Sequence, residues 1–223
     1  MRYGLALAGA LVMGSATAHA AVITLDFEGI GNNVPVADFY NGNGGPDFGV
    51  TFSSNALAIV DQDAGGSGNF ANEPTPDTVL YFLTGSAATL NFADGFDTGF
   101  SFFYSAINQP GSISVYDGLD ATGTVLAMLD LPLTPGGSGD PNGQFGFFQS
   151  IGVSFSGIAR SIDFAGTINQ IGFDNITFGS ATPGDTGGVD PGTDPNVVPL
   201  PASLPFLLAG LAPIVALRRR KRA

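Results

Sequence analysis

The sequence predicts an all-β fold, an antiparallel jelly-roll-like β-sandwich, between residues 21 and 180. The first sign is a two-residue hydrophobic period, because apolar side chains stand at every second position in 23–27, 100–104, 112–116 and 153–156. The second sign is that glycine-containing turn pairs separate these runs. The third is that no part of this region has a convincing helical period, which leaves sheet packed on sheet as the way to bury its apolar faces.

Eleven short strands follow from these patterns. In chain order they are predicted near residues 22–28, 49–53, 56–61, 78–83, 88–92, 98–106, 111–116, 124–130, 145–155, 159–165 and 169–178. The turn pairs that favour hairpins between them are Asn41-Gly42, Asp94-Gly95, Asp117-Gly118 and Asn142-Gly143. Two long loops, 61–75 and 132–142, are too polar and glycine-rich to belong to the core.

The first 20 residues have the pattern of a secretory signal peptide. Arg2 gives a positive start, residues 5–13 are apolar, and Ala18-His19-Ala20 matches a small-x-small cleavage site. Signal peptidase is therefore expected to release a mature chain that begins at Ala21. A short N-terminal core helix is the alternative interpretation.

The C-terminal segment 198–223 combines a short motif, an apolar run and a basic cluster. The uncharged stretch 197–217 has 21 residues, close to the roughly 20 that a transmembrane helix needs. The cations after it favour a cytoplasmic C-terminus, because Lys and Arg resist translocation. These cations are Arg218, Arg219, Arg220, Lys221 and Arg222. The preceding segment 181–197 is acidic and rich in glycine and proline, which is typical of a flexible linker.

The tail resembles the PEP-CTERM family of sorting signals, in the VPLPA-CTERM variant. The residues that carry the motif are Val198, Pro199, Leu200, Pro201 and Ala202. The resemblance implies an exosortase substrate, held transiently in the inner membrane and cleaved near the motif. It also implies an exported protein of the cell envelope, cell surface or extracellular matrix. A plain C-terminal membrane anchor is the alternative.

Charge separates the exported part from the two ends of the chain. All 19 acidic residues lie between Asp26 and Asp194, where Arg160 is the single cation, so residues 21–197 carry a net charge of −18. Such a domain disfavours nucleic acid, whose phosphates need Lys and Arg, and favours solubility and divalent cations. The chain has no cysteine and 19 phenylalanines, so the fold must depend on its apolar core.

Catalytic activity is not expected from this composition. The only histidine, His19, leaves with the signal peptide, so a serine nucleophile lacks its usual base and a zinc site lacks its usual ligand. A glycosidase that uses two carboxylates stays open as an alternative. Glu28 and Glu73 are the glutamates available for it, although no spacing singles out a pair.

Carboxylates at both ends of the domain suggest a cation site. Asp26 and Glu28 are two residues apart, which places them on the same face of the first strand. Asp174 stands where the hydrophobic phase of the last strand changes, and this predicts a β-bulge there. Such oxygen ligands suit calcium. The alternative for Asp26 and Glu28 is the solvated face of an amphipathic strand.

The domain resembles the sandwich domains of PEP-CTERM proteins and, more loosely, carbohydrate-binding jelly rolls. The resemblance lies in 25–29, 49–52 and 173–178. It implies that the first and last strands pair and that calcium is held near their junction, by Asp26, Glu28 and Asp174.

Two further features have an ordinary and a functional interpretation. The loop that starts Asp61-x-Asp63 has the opening of a calcium loop, but its twelfth position is Asn72, so a solvated loop is favoured. Four tyrosines offer rings to a sugar, although packing is the commoner role for a tyrosine on a strand. They are Tyr40, Tyr81, Tyr104 and Tyr116.

We therefore expect an exported, exosortase-sorted surface or matrix protein without catalytic activity, associated with exopolysaccharide. A carbohydrate-binding module is the alternative, followed by the carboxylate-dependent glycosidase.

Overall fold

The computed structural model describes residues 21–84, 88–137, 143–165 and 170–184. These residues form strands and no helix, as predicted. The strands β1–β12 are, in chain order, Ile23–Leu25, Val34–Pro35, Val50–Phe52, Ala56–Val60, Thr78–Phe82, Thr89–Phe96, Gly99–Ser105, Gly111–Tyr116, Val125–Leu131, Gln149–Ser154, Ala159–Ala165 and Gly172–Phe178.

Three of the predicted segments lie outside the described residues, wholly or in large part. They are the signal peptide 1–20, the linker 181–197 after its first four residues, and the sorting tail 198–223. Within the part of the chain that is described, no helix is long and apolar enough to cross a membrane.

Two antiparallel sheets pack face to face, which confirms the predicted sandwich. The larger sheet has the order β10-β7-β12-β5-β4-β2, with β1 also paired to β12, and the smaller sheet has the order β3-β6-β11-β8-β9. The pairing of β1 with β12 places Leu25 opposite Ile176. The first and last strands of the domain are therefore neighbours, as expected.

Phenylalanine rings from both sheets interlock in the core. The ring of Phe178 on β12 lies 5.1 Å from that of Phe92, 4.8 Å from that of Phe96 and 5.8 Å from that of Phe100. Phe92 and Phe96 belong to the smaller sheet, and Phe100 and Phe178 to the larger. Most of these rings meet edge to face or tilted, which is the favourable arrangement for aromatic pairs.

The turn predicted at Asp94-Gly95 is wrong. Strand β6 continues through this pair to Phe96, and the chain turns at Asp97 and Thr98 instead. Gly95 has φ +78°, and an added Cβ would lie 2.9 Å from the carbonyl oxygen of Ala159. The pairing of β6 with β11 shifts register at this point. The pair is therefore a bulge, which needs glycine as much as a hairpin turn does.

The other departures are at strand ends. Strand β1 ends at Leu25 and not at residue 28, because Phe27 adopts a left-handed backbone with φ 62°. Strand β10 begins at Gln149 and not at residue 145, because 143–148 forms a loop. Strand β2, only two residues long, was not predicted.

We expect Phe178→Ala to lower the free energy of unfolding by about 3–5 kcal/mol, since it removes a buried ring that joins the two sheets. Urea unfolding of the purified domain measures this. The matched control is Phe147→Ala, at a ring that is 46 % exposed, which should change the midpoint little. Equal losses in the two variants would contradict the assigned core.

Candidate functional site

The structure places Asp174 beside the junction of β1 and β12, inside the protein. Its side chain is fully buried. Oδ2 accepts from the Thr75 amide at 2.9 Å, and Oδ1 accepts from the Thr75 hydroxyl at 2.8 Å and from the Asn175 amide at 2.6 Å. Burial raises the pKa of Asp174 to about 7 even though these bonds act to lower it.

A bulge in β12 is what places Asp174 there. The pairing of β12 with β7 shifts register between Asp174 and Thr177. Asn175, within the shift, has φ 48°, a left-handed conformation that asparagine tolerates better than most residues. The predicted bulge is thus confirmed. It lets Phe173 and Ile176 both face the core while Asp174 points to the opposite side.

Glu28 and Asp26 lie on either side of the buried Phe27. Glu28 is half-buried and accepts from the Thr78 amide at 2.9 Å and the Thr78 hydroxyl at 3.1 Å. Burial raises the pKa of the Glu28 carboxyl, and the charge of Asp26 adds to this. Asp26 is exposed, and its Oδ1 accepts from the Glu28 amide at 3.3 Å.

Tyr40, which is buried in the core, contacts the segment 26–28 through its hydroxyl group. Its hydroxyl accepts from the Phe27 amide at 2.6 Å and donates toward Oδ1 of Asp26 at 3.5 Å. The bond to Phe27 satisfies an amide that the left-handed turn removes from the β-ladder. The Tyr40 ring, only 2 % exposed, is therefore a structural group.

The three predicted metal ligands are thus only partly brought together. The charge of Glu28 contributes to the raised pKa of Asp174, so these two carboxylates interact, while Asp26 stays at the surface. Among the described residues, no group of three or more His, Cys, Asp or Glu side chains is placed to hold a metal ion. The carboxylate and threonine hydroxyl oxygens at this place suit calcium in kind, but backbone amides of Thr75, Thr78 and Asn175 also point at the carboxylates.

The acidic loop after β4 also turns a carboxylate inward. Asp61 is 2 % exposed, and its Oδ1 accepts from the Gln62 amide at 2.6 Å. Burial raises the pKa of Asp61 to about 6, and the charges of Glu73 and Asp63 add to the effect. The loop folds back on β4, with the Gly68 amide donating to the Val60 carbonyl at 2.8 Å.

A groove lies on the outer face of the larger sheet, away from the phenylalanine core. On β5, Leu80 and Phe82 face the core, so Val79 and Tyr81 face outward. These two side chains, with Ile59 of β4 and Gly172 of β12, form the floor of the groove, whose volume is about 90 Å³. Gly172 keeps this part of the groove open because it has no side chain. An added Cβ would lie 3.6 Å from the Val79 side chain and 4.0 Å from the Phe148 ring.

Two loops build the wall of the groove and hold each other through backbone bonds. The Phe145 amide donates to the Asn69 carbonyl at 3.1 Å, and the Ala71 amide donates to the Phe145 carbonyl at 3.4 Å. Asn72 adds a side-chain bond to the Gly146 carbonyl at 3.1 Å. The residues of these two loops that line the groove are Asn69, Phe70, Phe145 and Phe148, and Gln170 and Ile171, just before β12, complete the lining.

The lining of the groove is aromatic, apolar and uncharged. Phe70 and Phe148 meet edge to face with ring centroids 6.4 Å apart. Asn69 and Gln170 are the side-chain amides among the lining residues. Broad apolar walls with a few polar groups are typical of sites for small organic ligands.

Of the four tyrosines that sequence analysis singled out, one lines the groove. Tyr81 does so, while Tyr40 and Tyr104 are buried in the core and Tyr116 lies on β8. The sequence pattern does not indicate Phe145 and Phe148 as wall residues, because it predicts one strand over 145–155, and Phe70 lies in the predicted loop 61–75. The signal that could have found them is Gly143-Gln144-Phe145-Gly146, whose glycines favour a loop that presents aromatic rings.

Comparisons with known proteins found no matching family model and no matching curated protein. Solved structures with partial likeness include a family 6 carbohydrate-binding module, at 18 % identity and a TM-score of 0.36, covering 56 % of this chain and 82 % of that one. A carbohydrate-binding module from Cellvibrio mixtus lichenase 5A in complex with cellotriose has 13 % identity and a TM-score of 0.35, with 56 % and 86 % covered. The K1 cleaved adhesin domain of Lys-gingipain from Porphyromonas gingivalis has 13 % identity and a TM-score of 0.39, with 71 % and 97 % covered. Likenesses this weak carry no weight for function.

In the presence of chelator, we expect the melting temperature to fall as the pH rises from 5 to 8. Burial raises the pKa of Asp61 to about 6 and that of Asp174 to about 7, so the folded state prefers both in the protonated form. Their favourable contribution is complete below about pH 4, the unfolded value, and is lost as the pH passes through 6 and 7.

The measurement is differential scanning calorimetry at fixed ionic strength. Asp174→Asn should flatten the pH dependence, whereas Asp130→Asn, at an exposed position of β9, should leave it unchanged. A wild-type melting temperature that is constant between pH 5 and 8 would contradict the buried state of these carboxyls.

Proposed function

We propose that this chain is an exported, non-catalytic surface or matrix protein whose sandwich binds a carbohydrate chain. The observation that carries the proposal is the uncharged, aromatic-lined groove on an otherwise strongly acidic domain. Aromatic and aliphatic groups suit the C–H faces of sugar rings, and the amides of Asn69 and Gln170 suit sugar hydroxyl groups. With a volume of about 90 Å³, the groove offers a contact surface for part of a carbohydrate chain rather than a pocket that encloses it.

The same lining supports binding rather than hydrolysis. Glycosidases need two carboxyl groups on either side of the scissile bond. The lining residues include neither aspartate nor glutamate. Glu28 and Glu73, which the sequence left open for this role, are not among them, and Glu28 is bonded to Thr78.

We expect Gly172→Leu to weaken carbohydrate binding at least tenfold, about 1.4 kcal/mol, because the new side chain fills the floor of the groove. A glycan array identifies the ligand, and isothermal titration calorimetry then gives its affinity. The control is Gly136→Leu, at a position with no atom within 4 Å of an added Cβ. If Gly172→Leu binds as wild type does, the ligand does not occupy this groove.

Calcium binding beside β1 and β12 is a second proposal, with Asp174 and Glu28 as ligands and Asp26 nearby. It is supported by two interacting carboxylates and two threonine hydroxyls on the strands and loop that meet there. Burial is the main cause of the raised pKa of both acids, and the charge of Glu28 adds to the rise at Asp174. A bound cation would offset that repulsion and favour the ionised form of both carboxyls.

We expect millimolar Ca²⁺ to raise the melting temperature by a few degrees over chelator at pH 8, since a hundred-fold excess over Kd adds about 2.7 kcal/mol. Asp174→Asn should lose this response, while Asp130→Asn should keep it. The same concentration of Mg²⁺, at the same ionic strength, controls for the general screening of charge by salt. A wild-type melting temperature that Ca²⁺ does not change would contradict calcium binding at this site.

The sorting of the protein also stays a proposal, supported by the order of motif, apolar run and basic cluster at 198–223. In a host that has its exosortase, we expect the mature chain to begin at Ala21 and to lack 218–222. Intact-mass determination of the cell-associated protein reports both cleavage events. Finding the basic end on most molecules would favour a plain anchor.

A further inference from the structure

We infer that the groove selects uncharged, hydroxyl-rich carbohydrate over uronate-bearing carbohydrate, and that Asn33 is the positioning residue that sets this preference through Tyr81. The inference rests on the proposed function and adds the class of ligand to it. Two independent observations carry it: the direction of a hydrogen-bond relay behind Tyr81, and the place of the single cation.

The relay begins at Asn32, where backbone amides fix its direction. The Asn32 side-chain oxygen accepts from the Val60 amide at 3.2 Å and from the Ser67 amide at 3.3 Å. An amide N–H can only donate, so this oxygen is an acceptor. The Ser67 hydroxyl, 3.1 Å from the same oxygen, must therefore donate its proton to Asn32.

The same logic continues from Ser67 to Tyr81. With its proton given to Asn32, the Ser67 oxygen accepts from the side-chain nitrogen of Asn33 at 2.8 Å. This turns the Asn33 side-chain oxygen toward the Tyr81 hydroxyl, also at 2.8 Å. Since that oxygen has no proton to give, the Tyr81 hydroxyl is the donor.

The consequence is that any ligand group that reaches the Tyr81 hydroxyl meets a lone pair and no proton, because the proton is donated to Asn33. A sugar hydroxyl can donate to that lone pair, whereas an ionised carboxylate has no proton to donate. The amides of Asn69 and Gln170 both donate and accept, so they do not discriminate. Tyr81 is therefore the lining group that distinguishes the two kinds of sugar.

The distribution of charge acts in the same sense. The only cation of residues 21–197 is Arg160, on β11 of the smaller sheet, and its guanidinium donates to the Ala93 carbonyl of β6. The groove belongs to the larger sheet. A uronate there meets no positive partner and faces a domain of net charge −18.

The backbone at Asn33 determines which variants test the relay. Asn33 has φ 58°, so Asn33→Gly removes the side chain without backbone strain. Asn33→Asp keeps an oxygen that accepts from Tyr81 but replaces the donor to Ser67 with an anionic acceptor, to which the Ser67 hydroxyl proton can turn. Tyr81→Phe removes the hydroxyl itself. Asn43→Gly, at an exposed position of another loop, is the control.

The experiment first screens the mature protein on an array of neutral and uronate-containing glycans. The best neutral ligand is then compared by calorimetry with the same glycan after selective oxidation of its primary hydroxyls to carboxylates, at 0.15 and 1 M salt. We expect the oxidised form to bind at least tenfold more weakly. High salt should narrow this gap without closing it, because screening removes the repulsion and leaves the missing proton donor.

For the neutral ligand, Asn33→Gly should lower the affinity several-fold, Asn33→Asp should restore most of it, and Asn43→Gly should not change it. Tyr81→Phe should lose as much as Asn33→Gly, and the double variant should lose no more. Equal binding of neutral and oxidised ligand, or an unaffected Asn33→Gly, overturns this inference and leaves carbohydrate binding in place. An array on which no glycan binds overturns both.

Discussion

Apolar contact between the two sheets is the interaction on which the rest of this structure depends. Residues 21–197 include one cation and no cysteine, so neither ion pairs nor disulfides can hold the domain together. Phe92 and Phe96 on one sheet and Phe100 and Phe178 on the other supply the contact instead. Apolar contact of this kind depends on neither ion pairing nor disulfide formation.

Because Arg160 is the single cation of residues 21–197, buried carboxylates are satisfied by hydrogen bonds from uncharged groups. Thr75 and Thr78 each present an amide and a hydroxyl to one carboxylate, Asp174 and Glu28 respectively. Hydrogen bonds of this kind satisfy the oxygen atoms without neutralising the charge, so the pKa values of both acids stay raised. The loop 61–77 that carries Thr75 also carries Asn69 and Phe70, so the acidic junction and the groove share one segment.

The sequence predicted the strands well because their signal is local. Alternation along 99–105 or 111–116 depends only on which side chains face the core, and the structure has strands there. The bulge of β12 is also predictable, because the apolar residues change from one alternate set of positions to the other at Asp174. Such a change means that the strand turns a different face to the core after that point. The bulge at Gly95 was mistaken for a turn, because glycine with positive φ serves both and only the partner strand distinguishes them.

The groove could not be predicted in the same way. Its floor comes from β4, β5 and β12 and its wall from two loops about 75 residues apart, so no window of sequence contains it. Tyr81 was named among four tyrosines, but only the relay through Asn33 distinguishes it from Tyr40, whose hydroxyl serves the fold. Residues that act together across such distances have no signature in a single sequence.

The wall of the groove has an evolutionary consequence. Its two loops are joined by bonds between the backbones of 69–71 and 145, and backbone groups are the same whatever side chain is present. Side chains on the wall can therefore change while the wall keeps its place, whereas an insertion within 69–71 would break the pairing with Phe145. Point substitutions could therefore alter the surface of the groove without disturbing the backbone that carries it.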